Sequence, residues 1–206
     1  MKKQFDYWRD GIYGDPKTHY THTSQGPKIE RMKNLVAYVE EHMPNVHSVC
    51  EFGCNNARNL KYMKENMNNI SVCGYDICEE SLEQAKINCN TSSFFTLDLY
   101  NEYDKLSELS ENEYDLSFTM GFLMHLPKSY EKRMLIEQMI RVSKNLVIYE
   151  PFDGNPSEIN SGQSGDPLKK GYYISMQAYE EYGFQRQKVG HRHSNNTRFR
   201  FWTLNK

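Results

Sequence analysis

The chain has 206 residues with 25 basic and 27 acidic side chains, and its formal net charge is −2 at neutral pH. This balance lacks the basic excess that is typical of nucleic-acid-binding proteins, so we expect no nucleic-acid partner. No apolar run approaches the roughly 18 residues of a membrane span, so we expect no membrane partner. Aromatic residues make up 13% of the sequence, and they supply apolar surface for one folded domain.

The five cysteines are an odd number, which argues against a closed disulfide framework and favours free thiols in the cytoplasm. The first residues, Met1 to Asp6, lack the apolar stretch of a signal peptide, which agrees with a cytoplasmic protein. The intervals between the cysteines differ from the two-residue spacing of zinc sites, so we predict no bound metal.

Hydrophobic periodicity predicts helices and strands that alternate along the chain. The predicted helices span 29–43, 57–67, 79–89, 129–143 and, more weakly, 175–182. The predicted strands span 46–53, 70–75, 94–97, 114–119, 145–149, 184–190 and 197–204. A polar stretch covers 100–112, and the Gly- and Pro-rich segment 153–171 is predicted to be a loop.

This order of elements predicts an α/β fold with a Rossmann-like, doubly wound sheet. The last two strands lie too close in sequence for a crossover helix, so we expect them to form an antiparallel hairpin. The sheet is therefore predicted to be seven-stranded and mostly parallel, within a single domain over 28–206. Residues 1–27, rich in Tyr, His and Gly, are predicted to be a lid or substrate-binding segment.

Three acidic residues follow or end successive predicted strands. Glu51, Asp76 and Asp98 are separated by 25 and 22 residues, which is one strand-helix unit each time. Ligands of such sheets bind beyond the carboxyl ends of the strands, so we expect these acids along one rim. An acid at the place of Asp76 accepts hydrogen bonds from ribose hydroxyls, and Asp98 suits an adenine amino group. The alternatives are a helix N-cap at Asp76 and an Asx turn at Asp98.

The turn after the first strand reads Glu51-Phe52-Gly53-Cys54-Asn55-Asn56-Ala57. Gly53 allows a ligand close to the backbone, while Asn55 and Ala57 stand where S-adenosyl-L-methionine (SAM) enzymes have two further glycines. Asn tolerates a left-handed backbone and Ala is small, so the turn survives in modified form. The alternative is an ordinary strand-to-helix turn that binds nothing.

Over residues 30–204 the chain resembles the class I SAM-dependent methyltransferases. The sequences Phe5-x-x-Trp8, Glu51-Phe52-Gly53-x-Asn55 and Gly-Phe-Leu-Met-His-Leu at 121–126 are similar to those of the small sugar-modifying methylases associated with pseudaminic acid biosynthesis. The missing glycines depart from the class pattern. The resemblance implies SAM as cofactor and S-adenosyl-L-homocysteine (SAH) as product. It also implies a row of cofactor-binding residues: Glu51, Gly53, Cys54, Asn55, Asp76, Ile77, Asp98, Leu99, Thr119, Met120 and Gly121.

His125 and Glu150 are the two candidate general bases. His125 lies just past the fourth strand, and an imidazole suits removal of a hydroxyl proton near neutral pH. Glu150 ends the fifth strand. The alternatives are a packing or adenine-edge histidine and a salt-bridged loop acid. Arg58 either pairs with the cofactor carboxylate or is a solvated residue of the first helical turn.

The expected acceptor is a small polar molecule. Trp8, Tyr13 and Tyr20 are predicted to contact it, because aromatic faces stack on sugars and attract a sulfonium. Basic residues near the carboxyl terminus favour an anionic or sugar-like acceptor, although a solvated hairpin face is the simpler reading of that charge. We therefore predict methylation of a sugar-type hydroxyl. A protein, peptide or RNA methyltransferase and a catalytically silent SAM-binding protein are the alternatives. The sequence contains no signal for oligomeric state.

Overall fold

The computed structural model describes residues 27–126, 129–151, 180–187 and 199–205. It contains four α-helices, which we label α1 (Pro27–His42), α2 (Arg58–Asn66), α3 (Glu79–Asn88) and α4 (Tyr130–Arg141). The strands are β1 (Ser48–Phe52), β2 (Ser71–Asp76), β3 (Ser93–Thr96), β4 (Tyr114–Met120), β5 (Ser143–Pro151), β6 (Gln185–Gln187) and β7 (Phe199–Asn205). Two 3-10 helices, Tyr103–Glu108 and Leu123–His125, were not predicted.

The strands form one sheet in the order β3-β2-β1-β4-β5-β7-β6. Strands β1 to β5 pair in parallel, whereas β7 is antiparallel to both β5 and β6. The prediction of a Rossmann-like, mostly parallel sheet with a carboxyl-terminal antiparallel pair is confirmed. The strand order reverses between β1 and β4, and this switch point is where doubly wound sheets bind ligands.

Helices cover both faces of the sheet. Residues of α1, α2 and α3, such as Leu35, Leu60 and Leu82, pack with Val49 of β1 in one core cluster. The helix α4 and the 103–108 helix pack in a second cluster that contains Cys50 of β1. Neighbouring residues of β1 therefore point into opposite cores, as the alternation of side chains along a strand requires.

Several predicted features lie outside the described residues: nearly all of the 1–27 segment, the loop 153–171, most of the helix 175–182, and most of the residues that make the carboxyl terminus basic. Among the described residues, no helix has the length and apolar character needed to cross a membrane.

Candidate cofactor-binding and active site

A cavity of about 280 Å³ opens where β1, β2 and β4 end. Its volume lies near the lower end of the range for ligand pockets, about 300–1,000 Å³. The lining includes eleven of the residues proposed from sequence: Glu51, Gly53, Cys54, Asn55, Asp76, Ile77, Asp98, Leu99, Met120, Gly121 and His125. Two of the predicted cofactor-binding and catalytic residues, Thr119 and Glu150, do not line the cavity, and both are buried. Trp8, Tyr13 and Tyr20 lie outside the described residues.

The turn after β1 has a left-handed backbone at three residues, although only the first of its three usual glycines is present. Gly53, Asn55 and Ala57 have φ values of 75°, 49° and 56°. The N–H groups of Gly53 and Cys54 both donate to the carbonyl of Tyr75, at 2.8 and 3.0 Å, which anchors the turn to the end of β2. At Gly53, a Cβ would lie 2.4 Å from Cγ of Phe122, so glycine is required by space as well as by φ.

Glu51 is a buried acid at the base of the cavity, with 1% of its surface exposed. Its Oε1 accepts a hydrogen bond of 2.6 Å from Nδ2 of Asn59 in α2. Its Oε2 is also buried and has no hydrogen-bond partner among the described residues. Burial raises the pKa of this carboxyl to about 8, against the lowering effects of Asn59 and Arg58. A buried acceptor without a partner is unfavourable, so this atom is poised to receive a donor.

Asp76 and Asp98 both use their carboxylates to shape the rim. Asp76 accepts from the N–H of Asn55 at 2.8 Å and from that of Cys78 at 2.9 Å. The N-cap residue of α3 is Cys78, so Asp76 is not the N-cap that the alternative interpretation placed there. Asp98 accepts from the N–H groups of Tyr100 and Asn101, so the Asx turn is present. Both acids also line the cavity. A carboxylate has about four acceptor sites, so each acid can also accept from hydroxyl or amino groups of a ligand.

Two arginines join the lining, and the sequence indicated only one of them. Arg58 begins α2 beside Glu51, whereas Arg31 comes from α1. Burial lowers the pKa of each guanidinium, and the charge of Arg31 lowers that of Arg58 further. The guanidinium carbon of Arg31 lies 5.7 Å from the centre of the Tyr149 ring. Arg31 gives no sequence signal, because it lies within the amphipathic pattern of α1 and reaches the cavity only when that helix packs on the sheet.

The 3-10 helix Leu123–His125, together with Phe122 and Leu126, forms the segment 122–126 after β4. Four of these residues line the cavity: Phe122, Met124, His125 and Leu126. Glu150 lies behind the segment, where its carboxylate accepts hydrogen bonds from backbone N–H groups of Phe122, Leu123 and Met124. The structure thus places His125 at the cavity and Glu150 beneath it.

Residues 49–145 match a family model described as a methyltransferase domain. Residues 49–145 therefore form a methyltransferase domain. SAM is the methyl donor that the sequence resemblance implies. No curated protein sequence matches the chain significantly.

Solved structures share the fold at low sequence identity. Magnesium protoporphyrin IX methyltransferase from Synechocystis PCC 6803, solved with bound SAH, is 17% identical with a TM-score of 0.68, over 96% of this chain and 95% of that one. A SAM-dependent methyltransferase from Archaeoglobus fulgidus is 17% identical with a TM-score of 0.56, over 85% and 94%. An O-methyltransferase family protein from Burkholderia thailandensis is 13% identical with a TM-score of 0.61, over 83% and 55%.

The residues of the cavity fit SAM. The amino acid end of the cofactor carries an ammonium and a carboxylate, and the cavity offers the buried Oε2 of Glu51 and the guanidinium of Arg58. The adenosine end carries hydroxyl and amino donors, which match the acids Asp76 and Asp98 in the same lining.

Proposed function

We propose that this methyltransferase methylates a hydroxyl group of a small, polar, sugar-like acceptor. The observation that carries the proposal is the position of His125, whose segment follows β4 directly and lines the same cavity as the cofactor residues. A hydroxyl must lose its proton at or after attack on the methyl group, and imidazole is the side chain best matched to that task near neutral pH.

In this proposal the cofactor lies across the switch point of the sheet. Glu51 and Arg58 bind its amino acid end beside Gly53, Cys54 and Asn55. Asp76 binds the ribose, while Ile77, Asp98 and Leu99 surround the adenine. Thr119, Met120 and Gly121 run below the sulfonium, with Thr119 acting from behind the lining. When bound, SAM supplies an electrophilic methyl group.

The role of the protein in the transfer is then alignment and proton removal. Holding an acceptor oxygen in line with the methyl group removes much of the entropic barrier to the reaction. His125 accepts the proton of the acceptor hydroxyl. Glu150, the other candidate base, lies behind the cavity lining with both carboxylate oxygens bonded to backbone N–H groups, an arrangement that favours His125 for this role.

The acceptor is proposed to be anionic. Arg31 and Arg58 both line the cavity, so two guanidinium groups border the space for the ligands. Arg58 is proposed to bind the carboxylate of the cofactor, and Arg31, which lines the same cavity, to bind a carboxylate or phosphate of the acceptor. Trp8, Tyr13 and Tyr20 are proposed to complete the acceptor site.

All five cysteines are free thiols, which supports a reducing compartment such as the cytoplasm.

The test is a panel assay of SAH formation from SAM. The acceptors are a neutral sugar, a sugar acid, a nucleotide-linked sugar, a peptide and an RNA. Turnover only with the sugar acid or nucleotide-linked sugar supports the proposal, and Arg31→Met should then raise KM for that acceptor with little change in SAH affinity. Turnover only with peptide or RNA overturns it. Tight SAH binding without turnover on any acceptor favours the silent binding protein.

A further inference from the structure

A buried lysine and a buried glutamate hold the segment 122–126 from two sides. Glu150 of β5 binds its N–H groups: Oε1 accepts from Phe122 at 2.7 Å and from Leu123 at 3.0 Å, and Oε2 accepts from Met124 at 3.3 Å. Lys132 of α4 binds its carbonyl groups, because Nζ donates to Leu123 at 2.6 Å and to Leu126 at 3.0 Å. Two charged groups therefore make five hydrogen bonds to four of the five residues in this segment.

Both charged groups are almost fully removed from water. Glu150 is 1% exposed and Lys132 is 2% exposed. Burying such an ion costs several kcal/mol, and breaking one half of a buried pair leaves the other charge uncompensated. Apolar replacements would leave the backbone groups of the segment without these partners, which is unfavourable away from water. The two side chains therefore tie the position of the segment to β5 and α4.

The segment that they hold is the part of the cavity wall that carries His125. A 3-10 turn has few internal hydrogen bonds, and here the N–H groups of His125 and Leu126 donate to Phe122 and Leu123. The N–H groups of Phe122, Leu123 and Met124 donate to Glu150, and the carbonyls of Leu123 and Leu126 accept from Lys132. A change in either side chain therefore frees the peptide planes that set the direction of the His125 side chain.

We infer that Lys132 and Glu150 are positioning residues that fix the segment 122–126 so that the His125 imidazole is presented to the methyl acceptor. The functional part of this inference rests on the proposed role of His125. The structural part stands on the five hydrogen bonds alone, and it can be tested without an acceptor.

The helix α4 also supplies a matched control. Arg141, at the end of the same helix, donates to the carbonyls of Leu106 at 2.6 Å and Leu109 at 2.9 Å. Those carbonyls belong to the end of the 103–108 helix, whose residues are not in the cavity lining. Arg141 thus performs the same type of backbone contact as Lys132 at a place remote from the site.

The experiment compares Lys132→Met, Lys132→Arg, Glu150→Gln and Arg141→Met. Amide exchange by NMR, in the protein without ligand, is expected to accelerate at least tenfold at Phe122, Leu123 and Met124 in Lys132→Met. The resonances of the His125 imidazole should broaden or split in that variant. Lys132→Arg should restore both signals, while Arg141→Met should change exchange only near residues 106–109.

Glu150→Gln should affect the three N–H groups unequally. The side-chain amide of Gln keeps one oxygen as an acceptor, whereas its NH2 group cannot accept a hydrogen bond. We expect faster exchange at Met124 than at Phe122 in this variant. This milder change also serves as the test if Lys132→Met does not fold.

Activity completes the test with the acceptor found in the panel assay. Lys132→Met should lower kcat at least tenfold and change KM for SAM less than threefold, and adding it to His125→Ala should give little further loss. Equal losses of kcat in Lys132→Met and Arg141→Met overturn the positioning role, as does unchanged exchange at 122–124. If no acceptor is turned over, the proposed function fails, while exchange and the imidazole resonances still decide whether the pair holds the turn.

Discussion

The Asp76 carboxylate at the end of β2 accepts a hydrogen bond of 2.8 Å from the backbone N–H of Asn55. Asn55 has a left-handed backbone with a φ of 49°, so an acid from one strand stabilises the strained turn that follows its neighbour. The same carboxylate accepts from Cys78 before α3. Asp76 therefore joins the first two strand-to-helix connections, and any ligand contact of this acid is added to a structural role.

Asp76→Ala should weaken SAH binding at least tenfold, or about 1.4 kcal/mol, because both the ribose acceptor and the support of the turn are lost. Asp76→Asn keeps one acceptor oxygen and should lose less. Asp115→Ala is the matched control: Asp115 also accepts from two backbone N–H groups, those of His47 and Ser48, away from the cavity. Calorimetric titration should show unchanged SAH affinity in that control, and unchanged affinity in Asp76→Ala would remove Asp76 from the ribose site.

SAH binding is expected to strengthen as the pH rises from about 6 to about 8. The pKa of Glu51 is raised to about 8 by burial, so the carboxyl must release its proton before it can accept from the ammonium group of SAH. Titrations in two buffers with different ionisation enthalpies should reveal proton release on binding at pH 7. Glu51→Gln should abolish both the pH dependence and the proton release, and an unchanged pH profile in this variant would exclude Glu51 as the cause.

The raised pKa of Glu51 also predicts that the folded protein becomes less stable as the pH rises, although SAH binding becomes stronger. The pKa of Glu51 rises from 4.5 to about 8 on folding, so between these values the native state holds a proton that the unfolded state has released. The free energy of unfolding should therefore fall with pH, by as much as about 1.4 kcal/mol per pH unit from this group. Urea unfolding at pH 5.5 and 7.5 should give a shallower decline in Glu51→Gln. An equal decline in both proteins would contradict the assignment.

Gly53→Ala should destabilise the protein by more than about 1 kcal/mol, since the left-handed region costs an L-residue about that much. Contact with Phe122 adds to the loss, because a Cβ at Gly53 would overlap its ring. A double-mutant cycle with Phe122→Ala isolates the contact with the ring, while the contact with the Cβ of residue 122, at 2.7 Å, remains. Chemical unfolding should show a smaller penalty for Gly53→Ala in the Phe122→Ala background, and an equal penalty would show that the ring contributes nothing to the loss.

His125→Ala should lower kcat by about 100-fold or more while SAH affinity changes little, if the imidazole removes the acceptor proton. The pH–rate profile should lose its ascending limb in the variant. A wild-type profile in His125→Ala would exclude the base role and leave proximity and alignment as the source of catalysis.

The sequence by itself determined the order of the elements and much of the rim. Short apolar segments that alternate with helical patterns predicted each strand that the structure describes. A parallel sheet that is covered on both faces needs such segments at regular intervals. The acids at strand ends also followed from sequence, since each parallel strand of the sheet ends on the same edge. The left-handed turn was predicted from Asn55, which tolerates such a backbone, and from the small side chain of Ala57, and both residues have positive φ.

Only the tertiary structure decided the protonation of Glu51 and the contacts that hold the other residues of the site in place. The raised pKa of Glu51 results from complete burial beneath α2, a property of packing rather than of its own sequence neighbours. Arg31 reaches the cavity because α1 packs on the sheet. Lys132 and Glu150 bind the backbone of the same turn, which the apolar pattern of residues 122–126 did not reveal. These contacts join residues that are separated in sequence, whereas hydrophobic periodicity reports only on residues within one helix or strand.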